Sequence, residues 1–197
     1  MTSRTDARAS LPQPVLETAR LVLRPLRASD AAAIQAAAAS RAIADTMISI
    51  PHPYPDGEAE RYVARQLAEA ERGRASVFVI APKGAAALVG IVEVREIERE
   101  HSQAEMSFWT AEGAWGRGYM SEALGAVVAY GFEVLGINRL YAYHMVRNPA
   151  SGRVLEKNGF RKEGLLRQRV RKWGVFEDVV LMAMLREDWD AHRSQRR

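Results

Sequence analysis

The sequence predicts a single α/β domain built on a mixed sheet of six or seven strands flanked by helices. Three observations carry this. Short runs of period-two hydrophobicity between residues 75 and 110 are separated by connections too brief for crossovers, which implies an antiparallel meander. One strand–helix–strand unit follows, over residues 103–146, and a unit of that length implies a parallel pair with a right-handed crossover. Two more strand-like runs, joined through Trp173-Gly174, close the chain as a hairpin.

In chain order, Thr18–Leu26 alternates apolar and polar residues as a half-buried strand does, with Pro25 marking an edge or strand end. Ser29-Asp30 supplies a cap for a short Ala-rich helix to about Ala39. Ile48–Asp56 carries three prolines and is a rigid loop bearing His52 and Tyr54. Glu58–Arg72 places Tyr62, Val63, Gln66, Leu67 and Ala70 on one helical face, and Gly73 stops it. Ala75–Ala81, Leu88–Ile97 and Gln103–Thr110 are strands, Gly90 marking a bulge or a close approach. Tyr119–Leu135 is the clearest helix, followed by a strand over Arg139–Val146 and a helix over Ala150–Lys157, capped by Asn148 and begun by Pro149. Phe160–Arg171 and Phe176–Leu185 complete the order β-α-α-β-β-β-α-β-α-β-β.

The chain has 197 residues, 48% hydrophobic and 26% charged, an ordinary globular composition for one domain. Residues 1–14 read as a disordered leader, 15–189 as the domain and 190–197 as a basic tail. No signal peptide and no bilayer-spanning apolar run is visible. There is no cysteine, which excludes disulfides, thiolate metal sites and a Cys nucleophile, and fits a reducing cytoplasm. No metal is implied. The net charge of +4 is compatible with a ribosomal or polyanionic partner; a solvated basic edge is the favoured reading of it, and no direct nucleic-acid role is expected.

The chemistry concentrates in Ala114–Ser121, AWGRGYMS, between a strand and a helix. Gly116 and Gly118 let backbone approach a ligand, and the helix start adds unpaired N–H groups and a positive dipole end. Together these suit a pyrophosphate. Arg117 adds a charge or faces water. A Walker loop is excluded because no Gly-Lys-Ser/Thr is present, and GxGxxS is a weak match to a dinucleotide fingerprint with only one crossover behind it.

The segment resembles motif A of the GNAT acetyltransferases, Gln/Arg-x-x-Gly-x-Gly/Ala. Aligning Gly118 with its central glycine puts Trp115 at the Gln/Arg position and Met120 at the final small one, two departures from the pattern. Asn148–Gly164, NPASGRVLEKNGFRKEG, resembles the Asn-x-x-Ser…EK-x-GF…EG signature of the RimJ/RimL-like branch. LETARLVLRPLRASD, PHPYPDGEAERYV and FEDVVLMAMLREDW extend the resemblance over about residues 15–189.

The resemblance implies the GNAT fold, with the strand before motif A splayed from its parallel neighbour, and acetyl-CoA as co-substrate. Pantetheine would meet backbone near Phe108, Trp109 and Thr110; the pyrophosphate would rest on Trp115, Gly116, Arg117, Gly118, Tyr119 and Met120. An acetyl group would pass to a primary amine by direct attack in a ternary complex. The acceptor is a protein N-terminus, such as that of a ribosomal protein, or a small amine such as an antibiotic or polyamine. A homodimer is common in the branch.

Three groups must be managed: the amine proton, the oxyanion and the departing thiolate. Glu105 shares a strand face with Ser107 and Trp109 and reads as a base or as a strand-end ion pair. Ser151 matches the family serine near the CoA sulfur, or bonds its own helix backbone. Asn148 is a helix cap first and a cofactor contact second. His144 reads as a core or cleft histidine before a base. His52, Tyr54 and Trp173 are acceptor-side candidates, and Glu177 and Asp178 either attract an amine or pair within the hairpin. Two other readings compete: a non-catalytic acyl-CoA-binding regulatory module and an NAD(P)-binding protein.

Overall fold

A computed structural model describes residues 13–194, with nearly all of the proposed leader, residues 1–12, and the last three residues, 195–197, lying outside the described residues. Its strands are β1 (Leu16–Glu17), β2 (Leu21–Pro25), β3 (Ser76–Pro82), β4 (Gly90–Glu98), β5 (Gln103–Thr110), β6 (Arg139–Met145), β7 (Arg161–Lys172) and β8 (Val175–Leu185). They form one eight-stranded sheet in the order β1-β2-β3-β4-β5-β6-β8-β7. The helices are α1 (Ala31–Ala38), α2 (Arg41–Thr46), α3 (Glu58–Glu71), α4 (Tyr119–Glu133), α5 (Pro149–Lys157) and α6 (Arg186–Ser194).

The antiparallel first half, the single parallel β5–β6 pair and the closing hairpin are as the hydrophobic pattern predicts. Three elements are additional. β1 has two residues, too few to show alternation, and is why the sheet has eight strands rather than six or seven. α2 is a six-residue helix whose Ser40 cap accepts the Ile43 N–H. α6 runs through Ser194, so helix continues into the segment read as a basic tail. Ser29-Asp30 caps differently from expectation. The Asp30 carboxylate makes no cap bond to α1; it takes the Arg24 guanidinium at 2.6 and 2.8 Å and the Arg27 N–H at 2.8 Å.

The pleat sends alternate residues to two cores. Val92, Val94, Met106, Leu140 and Met182 face α4, α5 and α6, where Leu124, Val127, Phe132 and Leu155 pack. Val77, Val79, Ile91 and Trp109 face α1 to α3, against Ile34, Ile43, Ala59 and Val63. Gly90 is the close approach foreseen for it: a Cβ there would lie 2.5 Å from the Trp109 carbonyl oxygen, so β4 and β5 meet there only because the side chain is absent.

The β5–β6 pairing covers only Gln103–Glu105 against Arg139–Tyr141. Beyond those residues the two strands diverge. A parallel pair that opens in mid-sheet leaves a wedge, and the α4 and α5 N-termini stand at its mouth.

Candidate active site

The wedge is a cavity of about 360 Å³. Phe108, Trp109 and Thr110 of β5 form one side; Asn148, Ser151, Arg153 and Lys157 come from α5 and its cap; Trp115, Gly116, Gly118, Tyr119 and Met120 come from the loop and α4. Of the loop residues proposed for the pyrophosphate, Arg117 alone is not in the wall. It is exposed, and its carbonyl accepts from Arg20 Nη1 at 3.0 Å.

The loop is shaped by two glycines with φ of 72° and 74° at positions 116 and 118, Gly118 being the N-cap of α4. An L-residue there strains the backbone by about 1–2 kcal/mol. An Ala Cβ at Gly118 would meet only Arg20 Nη2, at an ordinary 3.5 Å, so backbone strain decides the outcome. Gly118→Ala is expected to lower unfolding stability by about 1–2 kcal/mol, measured as the urea midpoint.

Residues that the sequence did not single out hold this loop. Glu122 accepts from Thr18 Oγ1 at 2.6 Å, from the Arg20 backbone N–H at 2.8 Å and from Arg20 Nε at 2.6 Å. Burial alone would raise the Glu122 carboxyl, but these hydrogen bonds hold it below its ordinary range. The β1–β2 turn is thereby fastened to the first turn of α4. Trp115, off-pattern for the motif, donates its indole N–H to the Thr110 carbonyl at 2.8 Å and so ties the loop back to β5.

Asn148 and Ser151 are brought together. Asn148 Oδ1 accepts the Ser151 N–H at 3.4 Å, the expected cap, while Asn148 Nδ2 donates to Ser151 Oγ at 2.9 Å and to the Thr46 carbonyl at 3.1 Å. The Ser151 oxygen therefore accepts from Asn148, and its own O–H remains available as a donor toward the cavity. α2 is locked beside α5 by the same side chain. Arg153 and Lys157, four apart on α5, give the cavity two cations. That spacing was visible in the sequence but carried no separate signal there.

A second cavity, about 210 Å³, opens on the other face of the sheet. Tyr54, Tyr62, Glu93, Arg95, Ser107 and Trp109 are among its walls. Met47 and Trp109 line both cavities, so the two meet there. β4 and β5 pair Glu93 with Ser107 and Arg95 with Glu105, on the face that also carries Ile91 and Trp109. Glu105 does share its face with Ser107 and Trp109, yet it lines neither cavity. It is 7% exposed and its carboxylate binds Arg95 Nη2 at 2.5 Å.

Glu93, unlike Glu105, reaches the second cavity. It is 5% exposed, accepts a short hydrogen bond from the Tyr62 hydroxyl and stands 3.9 Å from Arg95 Nη1. Burial raises its carboxyl above the ordinary range, against the opposing pull of Tyr62 and Arg95. Burial likewise raises Glu105, with Arg95 opposing.

The other candidates fall elsewhere. Tyr54 lines the second cavity; His52 does not, and its buried Nδ1 has no hydrogen-bond partner among the described residues. Trp173 lines neither cavity. It is 44% exposed at the hairpin turn, with the Arg41 and Lys172 cations 5.4 and 5.2 Å from its ring centre. His144 packs beneath α5, where a Cβ on Gly152 would come within 2.9 Å of its Nε2. Glu177 pairs with Arg147 at 2.7 Å and Asp178 accepts the Gln168 N–H at 2.7 Å, so both serve the hairpin and its neighbour strand. No described helix is long and apolar enough to cross a membrane.

Comparison with known proteins agrees with this fold. The acetyltransferase (GNAT) domain model matches residues 20–161. The chain is 30% identical to the N-acetyltransferase YoaA of Bacillus subtilis over 88% of its own length and 97% of that protein. It is 31% identical to the ribosomal-protein-serine acetyltransferase of Escherichia coli, over 58% of this chain and 63% of that one. The structure of Mycobacterium smegmatis RimJ in complex with CoA-disulfide superimposes with a TM-score of 0.78 at 27% identity, covering 88% of this chain and 87% of that one. The chain belongs to the GNAT acetyltransferase family, as an N-acetyltransferase whose relatives include the RimJ/RimL-like ribosomal-protein enzymes.

Proposed function

We propose that this protein moves an acetyl group from acetyl-CoA to a primary amine by direct attack in a ternary complex. The observation that carries the reading is the meeting of two cavities at Trp109 and Met47, one edged by a helix N-terminus and the other floored by a buried carboxylate. The first fits acetyl-CoA: positive-φ glycines, the α4 N-terminus and the Arg153 and Lys157 cations suit phosphates, and the wedge between β5 and β6 exposes strand backbone to a pantetheine arm. When bound there, acetyl-CoA supplies the activated thioester.

The protein's own residues do the rest. Glu93, its carboxyl raised above the ordinary range by burial, takes the proton that the attacking amine must lose. The Ser151 hydroxyl, whose oxygen already accepts from Asn148, donates toward the sulfur that leaves. Glu105 acts through Arg95, which it holds beside Glu93; it is a positioning residue in this scheme. Holding amine and thioester on either side of Trp109 contributes by proximity.

Thermal unfolding with ligands and release of free CoA with a panel of amines test the reading. Acetyl-CoA at 100 times its dissociation constant is expected to stabilise the fold by about 2.7 kcal/mol, which raises Tm by roughly 5–10 °C. Stabilisation by NADP and not by acetyl-CoA would overturn the assignment. Tight acetyl-CoA binding without turnover of any peptide or small amine would instead indicate a regulatory module.

A further inference from the structure

The charges of the second cavity bear on which amine it takes. Four charged side chains line it: Glu58, Arg65, Glu93 and Arg95. Glu58 is already engaged by Arg61 at 2.9 Å and Arg65 at 2.8 Å, so it offers no free carboxylate. Glu93 on the floor is the remaining acid. Beside it, Arg95 is under-used. Of its five N–H donors, one from Nη2 reaches Glu105, and Nε–H has no partner among the described residues. Nη1 is 3.9 Å from Glu93, beyond hydrogen-bond length, while about a third of the side chain stays accessible at the cavity wall.

We propose that Glu93 and Arg95 together recognise an α-amino carbonyl group. Glu93 receives the amine and Arg95 donates to the carbonyl oxygen on the neighbouring carbon. This rests on the transferase reading above and narrows it to acceptors that are peptide or protein N-termini, or free amino acids, which share that chemistry. A polyamine fits poorly. Its second cation would meet Arg65 and Arg95 with no unpaired carboxylate to receive it, and like charges in a partly desolvated site repel strongly.

The test compares acceptors by CoA release. For the wild-type protein, with kcat/KM referred to the unprotonated amine so that the different amine pKa values cancel, a tetrapeptide amide with a free Ala or Ser N-terminus is expected to exceed both spermidine and propylamine by roughly 10- to 100-fold, the size of a hydrogen bond to a charged donor. Free alanine, run alongside, distinguishes the two sources; turnover of either supports the proposal. Arg95→Met is expected to lose that preference, with kcat/KM for the peptide falling further than kcat/KM for propylamine. Because Arg95→Met strands Glu105, the double variant Arg95→Met/Glu105→Gln removes both charges of the pair and serves as the folded comparison, checked by circular dichroism. Spermidine turned over as well as the peptide overturns the proposal, as does an equal loss toward peptide and propylamine in the double variant. Absence of turnover with every amine overturns the transferase reading itself and this one with it.

Discussion

Glu93→Gln is expected to lower kcat by about 10²- to 10⁴-fold, with the dissociation constant for acetyl-CoA unchanged. Glutamine keeps the shape of the side chain and an oxygen to accept from the Tyr62 hydroxyl, but it cannot take a proton. The carboxylate lines the cavity proposed for the acceptor and not the one proposed for acetyl-CoA, so binding and chemistry should separate cleanly. Glu105→Gln is the matching control. It removes the charge that holds Arg95, and a smaller loss is expected, mainly in the KM for the acceptor. Full activity in Glu93→Gln beside an inactive Glu105→Gln would reverse the two roles.

The pH dependence follows from the direction of the Glu93 shift. Burial raises its carboxyl in the folded state, so activity should climb with pH as Glu93 ionises and lose that limb in Glu93→Gln. Stability runs the other way. A carboxyl whose folded-state pKa lies above its unfolded value binds its proton more tightly when folded, so its contribution is fully present below the unfolded pKa and is lost as pH rises through the folded one. Once pH has risen through the folded-state pKa, the wild type carries the cost of a buried, ionised Glu93 and the glutamine variant does not. The Tm of Glu93→Gln relative to the wild type is therefore expected to rise with pH, reaching an equal or higher value on the alkaline side of the activity limb. An inactive variant with an undiminished Tm would place the loss in chemistry rather than folding.

Glu105 is the base that the sequence suggests and Glu93 the one proposed from the structure, and the difference has a physical cause. Period-two alternation assigns a face, and it correctly put Glu105, Ser107 and Trp109 together. It does not say which cation a neighbouring strand will set opposite. Register brings Arg95 across from Glu105 and closes that carboxylate into an ion pair, while Glu93 lies opposite a serine and stays accessible to the cavity. Glu93 sits between Val92 and Val94 in a strand buried on both faces; a lone acid in such a run was the available clue. The glycine loop and the Asn148–Ser151 cap were legible because their chemistry is local. Thr18, Arg20 and Glu122 were not, since their link spans a hundred residues. α2 and β1 are too short for periodicity to register, and α6 reads as merely charged because most of its face is solvent.

Phe132→Ala is expected to cost about 3–5 kcal/mol of unfolding free energy, the range for a large aromatic removed from a closed core. Phe132 is fully buried near the C-terminal end of α4. It stacks on Trp189 of α6 with ring centres 5.4 Å apart, and the Arg186 guanidinium lies 5.6 Å from its ring while bonding the Phe132 and Ile137 carbonyls. The residue thus fastens the last helix to the one whose opposite end carries the Gly116–Gly118 loop. For a chain of this size each kcal/mol shifts Tm by roughly 2–4 °C, so calorimetry should find a loss of about 6–20 °C. Trp189→Ala empties the other half of the same contact. The double variant is expected to lose less than the sum of the two, by about 0.5–3 kcal/mol, because the stack can be broken only once. Strict additivity, or a Phe132→Ala cost below about 1 kcal/mol, would mean that α6 does not pack on α4 in solution. The distance between Phe132 and the Gly118 end of α4 makes a second expectation: acetyl-CoA affinity, measured well below the transition, is the same in Phe132→Ala as in the wild type, because the Gly116–Gly118 loop is held by Arg20, Glu122 and Trp115 and not by the helix's far end.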